Sequence, residues 1–141
     1  MLDNSPKGGT LVILGEVEDV QMYSDLRISF PPETRPPNVS IICRQGSTGE
    51  LDDLERVAVE SAHVTIILAG SHLSPDRADS RTMTAVLAIQ ALPAMTGSLV
   101  CEVCKRHTLP VLQRVAGPEA LCVLTGDRVD KALVVSGSVG R

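Results

Sequence analysis

The sequence predicts the α/β class, with a doubly wound parallel sheet and helices on both of its faces. Three observations carry this: short unbroken aliphatic runs, helically spaced stretches between them, and a near absence of aromatic residues. Strands buried on both faces read as continuous Val/Ile/Leu runs and not as alternating patterns. Strands and helices taken in turn imply right-handed crossovers between parallel neighbours. The 141 residues include one Tyr, one Phe and no Trp, so the core is built from Val, Leu, Ile, Ala and Met. That length suits a single domain with one core.

The elements follow in order. Residues 1–9 read as a lead-in, 10–135 as the domain and 136–141 as a Ser/Gly-rich tail. Thr10–Leu14 is an apolar run ending at Gly15, the mark of a buried strand. Val17 to Ile28 carries a weak helical pattern, and Pro31–Pro37 is a stiff surface loop, since proline removes donors and fixes φ. Val39–Cys43 is a second strand. Ser47-Thr48-Gly49-Glu50 matches a capping box ahead of a helix through Leu51, Leu54, Val57 and Ala58. Val64–Ala69 is the plainest strand of the chain. A helix starts near Asp76 and runs from Asp79 to Leu92, apolar on most faces, which suits burial or a subunit interface at Met83 and Leu87. Ser98–Val103, a helix Leu109–Ala116, Leu121–Leu124 and a last helix Asp127–Val135 complete the order.

Composition narrows function. A net charge of −4 and scarce aromatics argue against a nucleic-acid partner. No apolar run approaches the roughly 20 residues of a membrane span, so no direct membrane insertion by this chain is expected. Cys43, Cys101 and Cys122 lie in strand-like runs, where free thiols act as small hydrophobes; a reducing, cytosolic-type compartment is expected.

The stretches Ser40–Ser47, Asp52–Ala62 and Val64–Ala69 resemble the RCK (regulator of K⁺ conductance) domain. The run Ala78-Asp79-Ser80-Arg81 opening a helix, followed by Leu99-Val100-Cys101-Glu102-Val103, is similar to the CASTOR/POLLUX family of plant nuclear-envelope ion channels. The likeness runs from about Gly8 to Val134, and its specificity lies in order and spacing. It implies a Rossmann-like lobe and a homo-oligomer, either a dimer or a tetrameric gating ring, below a channel pore domain. It also implies regulation by Ca²⁺ or another small ligand, in the nuclear envelope or another organellar membrane. In this alignment Leu11–Leu14 corresponds to the family's second strand, so the first β-α unit is absent from the sequence. Either the chain is a fragment of a longer protein, or a partner chain supplies that unit.

Candidate sites follow. Asp76, Asp79 and Glu102 are the oxygen donors expected for Ca²⁺, since hard cations take six to eight oxygens, usually with several carboxylates. Asp76 and Asp79 sit one helical turn apart and could share a cation with carbonyls near Gly70–Ser74; the plainer reading is a helix cap and a dipole complement. Glu16, at a strand end, is the candidate for gripping a ribose. No G-x-G-x-x-G accompanies it, so a nucleotide is not expected. Cys101, Cys104 and His107 are spaced three apart, but residues three apart in a strand face opposite ways, which speaks against zinc. No nucleophile elbow appears, and the chain is expected not to be an enzyme. The rival readings are an NAD- or nucleotide-binding enzyme and a ligand-free structural pairing domain.

Overall fold

The computed structural model describes residues 8–125. The lead-in up to residue 7, the expected helix Asp127–Val135 and the tail 136–141 lie outside the described residues. The chain divides into two compact units, Met1–Ser47 and Thr48–Arg141.

In the first unit, β1 (Gly9–Gly15) leads into helix α1 (Asp19–Ser29), a 3₁₀ turn at Pro32–Thr34, and β2 (Val39–Gln45). The two strands pair in parallel, with Leu11 opposite Ile41 and Ile13 opposite Cys43. The weak helical pattern does form a helix, yet no residue of α1 is buried. Two polar bonds tie α1 to the sheet. The Cys43 amide donates to the Tyr23 hydroxyl at 2.9 Å, and the Gln45 amide donates to the Asp19 carboxylate. Cys43 is the one buried hydrophobic residue of this unit among the described residues.

The second unit opens with α2 (Leu51–Arg56) and a 3₁₀ turn at Val59–Ser61. The expected capping box is corrected here: α2 begins at Leu51, its N-cap is Glu50, and no side chain caps it. Ser47 therefore stands too far upstream to serve the first turn's amides. Ala58 follows α2 in the left-handed region, φ 57°, where helices commonly end.

Strands β3 (Val64–Ile67), β4 (Ser98–Val103) and β5 (Leu121–Leu124) then alternate with helices α3 (Pro75–Gln90) and α4 (Thr108–Ala116). They form one sheet in the order β3-β4-β5, all parallel, with Ile67 opposite Cys101 and Cys101 opposite Cys122. Both sheets among the described residues are therefore parallel with helices between strands, as the aliphatic runs imply. Proline at the first helical position starts α3 cleanly, behind Ser74 at its N-cap.

The core lies where α3 and α4 meet each other and β4. Val86, Ile89, Cys101, Val103 and Leu112 are each at most 2% exposed. Burying each Val, Leu or Ile side chain stabilises by about 1.5–3 kcal/mol. The expected all-round apolar helix resolves into a buried face of Ala78, Thr82, Ala85, Val86 and Ile89, with Leu87 at 54% exposed on the outside. No helix among the described residues is long and apolar enough to cross a membrane.

Candidate functional site

The carboxyl ends of parallel strands are where α/β folds collect polar groups, because the following loops and helix N-termini converge there. In the second unit this end is held by side chains from α3, β4 and the loop after β4. Asp79, in the first turns of α3, is 5% exposed. Its Oδ1 accepts from the Cys104 amide at 2.6 Å, and its Oδ2 from the Lys105 amide at 3.0 Å and the Thr108 hydroxyl at 2.7 Å. Burial pushes this carboxyl's pKa up, but the bonds from the Cys104 amide, the Thr108 hydroxyl and the Lys105 amide outweigh it. The net result lies below the ordinary 3.8. Asp79 thus pins the β4–α4 loop to α3 as a carboxylate.

The neighbouring groups extend this polar lock. Thr82, one turn on from Asp79, donates from its hydroxyl to the Glu102 carbonyl at 3.0 Å. The Glu102 carboxylate accepts from the Ala69 amide at 2.9 Å, closing the end of β3. Asp76 pairs with the Lys105 ammonium, and its side chain is 77% exposed. Thr125 donates from both its amide and its hydroxyl to the Val103 carbonyl, at 2.7 and 3.1 Å.

Of the residues singled out from the sequence, Asp76 and Asp79 come together on one open depression, with Ser80, Met83 and Thr108. Glu102 is not among its lining residues. Among the described residues no group of three or more His, Cys, Asp or Glu side chains gathers as a metal centre. The depression offers two carboxylates and two hydroxyls, so water would have to complete the shell of any hard cation there. Glu16 belongs to the first unit, exposed just beyond β1, with its carbonyl accepting from the Gln45 side chain at 3.2 Å. Thr82 and Thr108 escaped the sequence reading. Thr82 is signalled by its helical spacing from Asp79, whereas nothing local marks Thr108.

Burial favours the protonated thiol at Cys43, Cys101 and Cys122. Cys101 and Cys122 are partners across β4 and β5, and burial, with Cys122 beside it, pushes the Cys101 thiol up to about 12. Burial raises Cys122 and Cys43 as well. Cys104 and Cys101 do not meet as a metal clip with His107.

Parallel α/β layers whose strand ends are locked by α3 and the β4–α4 loop define a Rossmann-like domain. The chain belongs to the family of the calcium-activated potassium channel slowpoke-like RCK domain, whose model matches residues 10–120. It is 30% identical over 128 residues to the probable ion channel POLLUX of Arabidopsis thaliana, covering 90% of this chain and 15% of that protein. It is 29% identical over 134 residues to the probable ion channel SYM8 of Pisum sativum, covering 94% of the chain and 14% of the relative. A third similarity is to the probable ion channel CASTOR of Oryza sativa subsp. japonica, 26% identical over 129 residues, with 90% and 14% covered. The chain therefore spans about one seventh of the length of the curated relatives it matches.

Proposed function

We propose that this domain is a non-catalytic regulatory module of an ion channel, coupling the state of a ligand-responsive surface to a pore carried elsewhere in the protein. The observation that carries the reading is family membership over residues 10–120, with relatives named as ion channels. A module of this kind biases a gate by population shift, which requires only that ligand or assembly favour one conformation over another. The module works as a homo-oligomer, a dimer or a tetrameric gating ring beneath the pore domain. The outward Leu87, at 54% exposed, supports an assembly face on α3. The membrane is that of the nuclear envelope or another organelle, on the resemblance to plant channels of the CASTOR/POLLUX family.

Calcium is the effector this reading names. What supports it is the sharing of one depression by Asp76 and Asp79, with the hydroxyls of Ser80 and Thr108 beside them. Asp79 is already committed to three donors, so a cation competes mainly with Lys105 for Asp76. Binding is accordingly expected in the weak range typical of sites with few protein carboxylates. Titration calorimetry tests this: Lys105→Met strengthens the heat of Ca²⁺ binding and Asp76→Ala abolishes it. A heat unaltered by both substitutions removes Ca²⁺ from this surface.

The regulatory reading itself is tested by recording currents from the channel that carries the domain. Leu87→Asp changes open probability and leaves unitary conductance as it was. A change in conductance with unaltered gating would overturn the assignment.

A further inference from the structure

The connection from β3 into α3 ends on Ser74-Pro75-Asp76-Arg77, and all four residues are exposed. A turn from the Leu73 amide to the Gly70 carbonyl, at 3.0 Å, comes just before them. Ser74 is extended, with φ −61° and ψ 152°, and its hydroxyl caps no amide of the helix. Pro75 has no N–H to leave unpaired. The Arg77 side chain stands exposed three residues after the serine.

A protein kinase takes its acceptor segment as an extended strand, so it needs a hydroxyl that is exposed, uncommitted and outside a helix. Kinases of the proline-directed class seat the next residue in an apolar pocket that offers no acceptor to its amide, which selects proline. An anionic group then pairs with a basic side chain at the third position. We propose that Ser74 is a phosphorylation site for a serine/threonine kinase of this class. The sequence holds one other Ser-Pro step, Ser5-Pro6, and its third position is Gly8. Ser80 is exposed and follows Arg77 by three residues, but it lies inside α3, where the backbone is not extended. In the reaction the Ser74 Oγ bonds to the γ-phosphorus of ATP as the bond from that phosphorus to the bridging oxygen breaks. ADP leaves, and the hydroxyl proton passes to the base of the kinase.

A phosphate brings about −1.5 to −2 charge and three acceptor oxygens at pH 7. On Ser74 it stands at the head of a 16-residue helix, beside the Asp76 and Arg77 amides, which have no acceptor within the helix. It also becomes a rival to Asp76, two residues on, for the Lys105 ammonium. Modification therefore loosens the Asp76–Lys105 pair at the open depression. What this does to a cation there rests on the calcium reading above; the modification itself does not.

The test incubates the full 141-residue chain, and the channel that carries the domain, with a purified proline-directed kinase and ATP. Mass spectrometry is expected to place a phosphate on Ser74 in both. Ser74→Ala removes it and breaks no bond of the fold, since the hydroxyl caps nothing. Pro75→Ala and Arg77→Ala each lower the initial rate by about tenfold, as loss of one specificity contact does. Label confined to Ser5, or a rate indifferent to both substitutions, overturns the proposal. A Ser74 modified in the 141-residue chain but never in the channel overturns it too, by showing the loop covered in the whole protein. The second pKa of the phosphate, followed by phosphorus NMR, is expected to lie lower in the parent chain than in Lys105→Met, because the ammonium favours the dianion. Asp76, Arg77 and Asp79 are common to both chains, so the comparison isolates Lys105. Equal values would show that Lys105 stays with Asp76 and would strike the rearrangement.

Discussion

Asp79 is where a single residue does most for the second unit. A buried carboxylate with three donors ties α3 to the loop after β4, and hydrogen bonds to a charged acceptor are worth about 1.5–3 kcal/mol. Asp79→Ala leaves two amides and a hydroxyl without their acceptor, and is expected to cost about 3 kcal/mol in chemical denaturation. The sign of the pH dependence follows from the depressed pKa. The contribution of Asp79 is fully present above its ordinary value of 3.8 and is lost as pH falls through the lower folded-state value. The stability difference between the parent chain and Asp79→Asn therefore narrows on acidification below about pH 4. A difference that stayed constant through that range would show that the charge on Asp79 is unimportant.

Gly97 is a second such residue. A Cβ built there would lie 1.9 Å from the Ala62 carbonyl oxygen and 2.6 Å from that of His63. Both are backbone atoms, and Ser98 also donates to the His63 carbonyl at 2.9 Å, so β4 cannot move aside without losing its entry into the sheet. Gly97→Ala is expected to destabilise by about 2 kcal/mol or more, as backbone-strained substitutions do, read as a lowered melting temperature.

Among the elements, α3 carries both packing and the assembly proposal. Its inward face is fixed by Val86 and Ile89, and its outward Leu87 is 54% exposed. Leu87→Asp is accordingly expected to change monomer stability by no more than about 0.5 kcal/mol, the range of ordinary surface changes, while lowering the sedimenting mass. Loss of fold in that variant, seen by circular dichroism, would place Leu87 in the core instead. Most elements could be read from residue order. The strands were marked by Thr10–Leu14, Val39–Cys43, Val64–Ala69, Ser98–Val103 and Leu121–Leu124, because a largely aliphatic run of four to six residues has few other stable uses. The capping box misled because it is a local pattern that a turn can also satisfy, and the chain turns at Thr48-Gly49 before α2 begins.

At the scale of the molecule, the units are unequal. The second unit holds nearly all of the buried side chains among the described residues, whereas the first has Cys43 and a set of side chain to amide bonds. Local stability follows burial, so amides of β4 and α3 are expected to exchange last and those of α1 first. Native-state hydrogen exchange checks this directly, and equal protection across β2 and β4 would contradict it.

The sequence alone determined the α/β class, the parallel pairing and the approximate place of each strand and α-helix among the described residues, because these rest on short-range periodicity and on the dislike of buried backbone for anything but a ladder. It also marked Asp76, Asp79 and Glu102 as residues of interest. Only the tertiary structure decided what they do. Asp79 binds amides and a hydroxyl 25 to 29 residues away, Glu102 reaches the Ala69 amide 33 residues back, and Asp76 meets Lys105. Such partners are set by how α3 lies across β4, a packing outcome that no window of neighbouring residues contains. The same holds for the outer amides of β2: Asp19 and Tyr23 read as ordinary helix residues until the fold lays them along the amides of Gln45 and Cys43.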